Sequence, residues 1–202
     1  MLRMRKFLIL NLPGANISAV EYWLKRSGVD YIVSSNPDDI NAEICLVLPG
    51  VGSFDSCISF LNDNNLIDKI IAHYENYGFM IGICLGMQIC FESSEEGTLK
   101  GLSLVSGHVK RIPLGEKKVP NIGWRDLGAS GNFYFMHSYA VPKSEIINND
   151  SLDRVNFLTH NVDLLASFRS KNGFFFQYHP EKSYEFGDRL LEEIVNEPKN
   201  NC

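Results

Sequence analysis

The chain of 202 residues has five cysteines, Cys45, Cys57, Cys84, Cys90 and Cys202, an odd number with no C-x-x-C spacing. Neither a disulfide framework nor a zinc site is indicated, and a reducing compartment fits. No stretch approaches the roughly 18 apolar residues that span a bilayer. The basic segment 1–6 is followed by an apolar run, 7–10, far shorter than the core of a signal peptide. Basic excess is missing as well: 19 Lys and Arg stand against 24 Asp and Glu, a formal charge of -5, which argues against a nucleic-acid surface. Repeats, low-complexity tracts and interdomain linkers are also lacking. We therefore read residues 1–202 as one domain of a cytoplasmic protein, with no membrane or nucleic-acid partner, no metal and no cofactor. At this length a single core buries on the order of 70% of the surface exposed by the unfolded chain.

Hydrophobic patterning predicts strands at 7–10, 31–34, 44–48 and 79–83, alternating with helices at 16–28, 54–61 and 67–77. Asn16 is placed to cap the first helix and Gly28 to end it. The unbroken apolar run 44–48 requires cover on both faces and stops at Pro49-Gly50-Val51-Gly52. This alternation predicts an α/β fold with a doubly wound, mostly parallel central sheet and flanking helices, whose ligands belong at the carboxyl ends of the strands. Beyond Gly97 the runs 102–112, 133–135, 164–168 and 174–178 predict a smaller mixed or antiparallel β region. A closing amphipathic helix over 184–195 and a frayed polar tail, 196–202, complete the reading.

The chemistry centres on 79–91, FMIGICLGMQICF. A cysteine ending an apolar strand is ordinarily a small core residue. Cys84 differs because Gly82 and Gly86 flank it at both second positions and helix formers follow at once, the G-x-C-x-G form of a nucleophile elbow. A strand reversing into a helix within one residue crowds those positions, and the helix N-terminus favours a thiolate on Cys84. Gln88, one helical turn on, overlooks the same site. A second cluster, Gln177-Tyr178-His179-Pro180-Glu181-Lys182-Ser183, follows an aromatic strand. Pro180 favours an extended His179 and argues against a helix, so that His179 and Glu181 project to one side. This spacing suits a carboxylate orienting an imidazole base for Cys84. His73, His108, His137 and His160 have no carboxylate at that offset and read as histidines bonded to the backbone.

The P-G-V-G loop, the G-I-C-L-G-M-Q elbow and the H-P-E-K-S cluster together resemble the class I (triad) glutamine amidotransferases. Further likeness at 92–95, 107–112, Val119-Pro120, Gly123-Trp124 and 135–139 is to the glutaminase subunits of imidazole glycerol phosphate synthase, of histidine biosynthesis. The resemblance implies L-glutamine as substrate, ammonia delivered to a separate (β/α)₈ barrel cyclase subunit, and a triad of Cys84, His179 and Glu181. It implies substrate contacts at Gly50, Gly52, Gln88, Ser138 and Tyr139. The oxyanion of the attacked amide needs two backbone donors, the amides of Leu85 and of Val51 in the glycine-flanked loop. Asn16, Asn121, Trp124 and Lys182 are implied at the partner interface, Trp124 on an exposed loop and Lys182 placed for an ion pair across it. Two partner-facing loops depart from the usual pattern. The first reads Asn11-Leu12-Pro13-Gly14-Ala15-Asn16, and the second Pro120-Asn121-Ile122-Gly123-Trp124-Arg125 where P-H-x-G-W-N is usual. These departures raise an alternative, a paralogue supplying ammonia for amination or amidination of a surface-polysaccharide sugar. A stand-alone cysteine γ-glutamyl hydrolase and a non-catalytic interaction module complete the alternatives.

Overall fold

A computed structural model describes residues 6–76, 78–146 and 152–196. In chain order the first half contains β1 (Lys6–Leu10), α1 (Ile17–Arg26), β2 (Tyr31–Ser34), β3 (Ile44–Leu48), α2 (Phe54–Asp63), α3 (Ile67–Glu75), β4 (Phe79–Ile83) and the single turn α4 (Leu85–Gln88). The second half contains β5 (Ser93–Ser94), β6 (His108–Arg111), β7 (Asn121–Asp126), β8 (Asn132–His137), β9 (Tyr139–Ala140), β10 (Leu152–His160), β11 (Val162–Ser170), β12 (Gly173–Phe176) and α5 (Tyr184–Asn196). The central sheet has the order β10-β11-β12-β4-β3-β1-β2. From β12 to β2 the pairing is parallel, and β10 and β11 extend it antiparallel. The expected fold class is therefore found.

Alternation along the strands gives the sheet two apolar faces. Leu8, Leu46, Leu48 and Met80 pack with α2, α3 and α4, while Phe7, Ile9, Val47, Ile81 and Ile83 pack with α1, α5 and β8. Asn16 caps α1 by accepting from the Ala19 amide at 3.2 Å, and the chain leaves the helix through Gly28 at φ +65°. On the second face Trp23 is fully buried and its Nε1 donates to the Gly187 carbonyl at 3.0 Å, joining α1 to α5.

Several boundaries differ from those predicted. Of the run 102–112 only His108–Arg111 is strand. Residues 102–105 instead donate their amides to carbonyls of 89–91, closing the end of the elbow helix. Two of the longer strands escaped the sequence reading, β7 and β10, both rich in polar residues. Tyr77 and the tail residues 197–202 lie outside the described residues. Among the described residues no helix is long and apolar enough to cross a membrane.

Candidate active site

Cys84 sits where β4 passes into α4, with φ +50° and ψ -105°, a conformation that is costly for a residue with a side chain. Its amide donates to the Phe176 carbonyl at 2.6 Å, so β12 holds the elbow from one side. β3 and β12 then set the glycine requirements. A Cβ on Gly86 would lie 1.9 Å from the Leu48 carbonyl oxygen, and one on Gly82 would meet Phe175 at 2.7 Å and the Gly86 carbonyl at 3.0 Å. The elbow glycines are thus demanded mainly by neighbouring strands and only partly by each other. Gly50 approaches the same turn so closely that its Cβ would sit 2.1 Å from the Ile83 oxygen and 2.4 Å from the Leu85 nitrogen.

His179 and Glu181 lie beside the sulfur, fully inside the protein. The carboxylate Oε1 accepts from His179 Nδ1 at 2.8 Å, which leaves Nε2 as the reactive nitrogen. That Nε2 is buried without a hydrogen-bond partner. Burial alone would push the imidazole toward its neutral form, but the adjacent Cys84 sulfur, and after it Glu181, outweigh burial and raise its proton affinity well above the ordinary histidine range. His179 itself is extended as expected, at φ -104° and ψ 90°, but the expectation of no helix fails, because Pro180–Lys182 forms a turn of 3₁₀-helix. Proline is accepted there since the first position of a helix has no acceptor for an N–H. The turn is tied to β8: the His179 amide donates to the Tyr134 carbonyl at 2.8 Å, and the Tyr134 amide donates to Ser183 Oγ at 3.1 Å.

In front of Cys84 opens a cleft of about 310 Å³ lined by residues that include Gly50, Val51, Gly52, Leu85, Gln88, Ser138 and Tyr139. Every residue named from the sequence for substrate or oxyanion contact is therefore at its wall. The Leu85 amide begins a helix and has no carbonyl a turn earlier to satisfy it. The Val51 carbonyl faces the 11–16 loop, 3.4 Å from where a Cβ on Gly14 would sit. A larger cleft, about 410 Å³, lies near Arg154, Tyr178 and Glu193 and contains none of the elbow residues.

Behind the cleft wall runs a hydrogen-bonded chain that the sequence did not announce. Arg125 Nε donates to Asn121 Oδ1 at 3.0 Å, Asn121 Nδ2 faces His137 Nε2 at 2.9 Å, and His137 Nδ1 faces the Tyr139 carbonyl at 2.9 Å. A carbonyl only accepts and a guanidinium only donates, so His137 must carry its proton on Nδ1 and remain neutral. Burial, the largest influence, pushes His137 down to about 4, and Arg125 contributes in the same direction. Gln88 Nε2 donates both to the Tyr139 carbonyl at 2.8 Å and to Gln177 Oε1 at 3.0 Å. Both Gln88 donors are consumed, so only its Oε1 remains to face a ligand.

Of the four residues assigned to an interface, Asn16 is exposed and Lys182 is half-buried with its ammonium 5.9 Å from the Tyr134 ring centroid. Trp124 is 40% exposed and lies on strand β7 instead of a loop, stacked on Tyr184 at 5.5 Å. Asn121 contradicts its assignment. It is fully buried, and its amide joins the Arg125 guanidinium to a neutral His137 instead of reaching a partner. Glu96 was not foreseen: its carboxylate lines the cleft while Oε2 accepts from the Phe54 amide at 3.0 Å. No sequence spacing links Glu96, Asn121, His137 or Gln177 to Cys84, since each reaches the site through tertiary pairing.

Residues 14–196 match the profile of the family described as glutamine amidotransferase class-I. Among curated relatives, an imidazole glycerol phosphate synthase subunit HisH of Prochlorococcus marinus is 36% identical, the match covering 87% of each chain. HisH of Staphylococcus aureus (strain MRSA252) is 34% identical over 93% of this chain and 95% of its own. Subunit HisH 2 of Methanococcus maripaludis is 31% identical over 94% and 98%. The folds of a solved glutamine amidotransferase (TM-score 0.73, 15% identity, 94% and 97% covered) and of PurLQS from Thermotoga maritima (0.68, 16%, 96% and 99%) are similar. By the family profile and by these relatives, the chain belongs to the class-I glutamine amidotransferases.

Proposed function

We propose that this enzyme is the glutaminase subunit of an imidazole glycerol phosphate synthase in the cytoplasm, releasing ammonia from L-glutamine for a (β/α)₈ barrel cyclase subunit. The observation that carries the chemistry is a strained elbow cysteine that lines the cleft and has the buried His179–Glu181 pair beside its sulfur. The near full-length likeness to HisH subunits supports the acceptor and the partner.

The Cys84 thiolate attacks the side-chain amide carbon of glutamine, and the carbonyl electrons move to its oxygen. The amides of Leu85 and Val51 stabilise that oxyanion, a contribution of about 3 to 4 kcal/mol per donor. The proton on His179 Nε2 passes to the amide nitrogen as ammonia leaves, with Glu181 holding the imidazolium through Nδ1. Water, deprotonated by His179, then cleaves the thioester to glutamate. The Glu96 carboxylate supplies a counter-charge for the α-ammonium of the substrate, and Gln88 Oε1 accepts a hydrogen bond from it or from the amide.

The subunit alone is expected to be nearly silent. Gly50 and Gly52, the latter at φ +132°, flank Val51 and let the peptide there present either an N–H or a carbonyl to the oxyanion. A misplaced carbonyl costs at least the ~10²- to 10³-fold lost with one donor. Glutamine turnover is measured for the purified subunit, then with the barrel partner, then with its acceptor ligand. A stepwise rise supports the proposal. High turnover alone, unchanged by the partner, rejects the delivery role and leaves a stand-alone hydrolase.

A further inference from the structure

We infer that Gln177 is part of the catalytic machinery: its side-chain N–H is a hydrogen-bond donor to the Cys84 sulfur, aimed and held by Gln88. This deepens the proposed function and rests on Cys84 being the reactive thiol. Gln177 Nε2 lies 3.6 Å from Cys84 Sγ, and Gln177 is fully buried. The direction of the bond follows from groups that have no choice. The Tyr139 carbonyl can only accept, so the Gln88 group beside it at 2.8 Å is the NH₂. That same NH₂ faces Gln177 at 3.0 Å, so the Gln177 atom there is the oxygen, and its own NH₂ is turned to the sulfur. Reversing the Gln177 amide would set two NH₂ groups against one another and present an oxygen to the nucleophile.

A donor in that place does two things. It favours a negatively charged sulfur over a neutral one, because a hydrogen bond to an anion is about twice as strong as one to a neutral acceptor. It also occupies one side of the sulfur, leaving the other lone pairs toward His179 and the cleft. The Met136 carbonyl, 3.8 Å from Sγ, accepts from the thiol and gives nothing to the thiolate. Gln177 is therefore the side-chain N–H in contact with the sulfur that serves it after the proton has left, before His179 is counted.

Two substitutions separate this role from a merely structural one. Gln177→Glu keeps the shape and still offers an oxygen to the Gln88 NH₂, but it turns an acceptor with negative charge toward Cys84. Gln177→Met keeps the volume and removes both bonds. The full chain is alkylated with iodoacetamide, in which the sulfur displaces iodide from carbon; Cys84 labelling is followed by mass spectrometry, and melting temperature reports the fold. Gln177→Glu is expected to slow labelling about 10- to 100-fold, and Gln177→Met about tenfold, the range for losing a hydrogen bond to a charged group. In the complex with the partner, kcat of Gln177→Glu falls similarly while KM for glutamine stays within about twofold.

Labelling of Gln177→Glu within about twofold of wild type overturns the inference and reduces Gln177 to a prop for Gln88. If Gln177→Glu does not fold, Gln177→Met decides by the same criterion. The parent reading fails separately: wild-type labelling that persists in Cys84→Ala would remove Cys84 as the nucleophile, and this role with it.

Discussion

Cys57 and Cys90 identify the nucleophile by contrast. Burial pushes the Cys57 thiol up to about 12 and the Cys90 thiol further still, and neither touches a base. A glutamine-mimicking electrophile should label Cys84 and spare both, and labelling that survives in Cys84→Ala would refute the assignment. His179→Ala should cost nearly as much turnover as Cys84→Ala, whereas Glu181→Gln, which keeps a hydrogen-bond acceptor at Nδ1, should leave a larger remainder. His137 carries the pH prediction. Its folded proton affinity, near 4, is below the ordinary value of about 6.5, so between those values the unfolded chain binds the extra proton. Stability is then full above about 6.5 and falls as pH drops toward 4, by on the order of 3 kcal/mol in total. Protonation also sets a new Nε2–H against the Asn121 NH₂, which cannot turn over without facing the Arg125 guanidinium. Thermal melts of wild type and His137→Gln across this window should diverge, the variant losing less; parallel curves would exclude His137 as the titrating group.

Among elements, the elbow is the least tolerant. Gly86→Ala drives a methyl into the Leu48 carbonyl at 1.9 Å, backbone that β3 and β4 together hold in place. The expected loss is several kcal/mol, against about 1 kcal/mol for Gly28→Ala, where only the positive φ resists. Comparable melting temperatures for the two variants would show that β3 yields. The same packing explains which elements could be read from sequence. Strands β3 and β4 are covered on both faces, so every residue is apolar and the run announces itself. β7, Asn-Ile-Gly-Trp-Arg-Asp, pairs with β8 alone and has the turn-like composition of an edge. β10 is the sheet margin, with Asp153, Arg154 and Asn156 in place of an apolar row. Cys84, His179 and Glu181 were legible because their chemistry lies within short motifs. Gln177 was seen as part of its motif, but its partners Gln88 and Cys84 are far away in sequence, and Arg125 appeared as a departure from the family before the structure gave it three acceptors: the Asn121 side chain and the carbonyls of Trp124 and Ile122.

For the whole molecule, the question is which exposed surface would meet the proposed barrel subunit. Ile122, Trp124 and Tyr184 are all substantially exposed, at 51%, 40% and 68%, beside the half-buried Lys182. Trp124→Ala should leave the melting temperature within a few degrees and weaken association with the proposed barrel partner by about 2 kcal/mol, the behaviour of an interface anchor. A large fall in melting temperature with unchanged affinity would instead make Trp124 a packing residue. Lys182→Glu should weaken the complex without disturbing the fold, measured by titration calorimetry beside a thermal melt. The chain has only two tryptophans. One, Trp23, is buried where α1 meets α5; the other, Trp124, is partly exposed on β7, ring to ring with a tyrosine. The protein therefore carries its own optical gauge. Emission from Trp23 supplies a background from a dry environment, and once the emission of an added subunit alone is subtracted, a change in colour or intensity that vanishes in Trp124→Ala reports Trp124, so docking can be followed in real time with no dye and no engineered label.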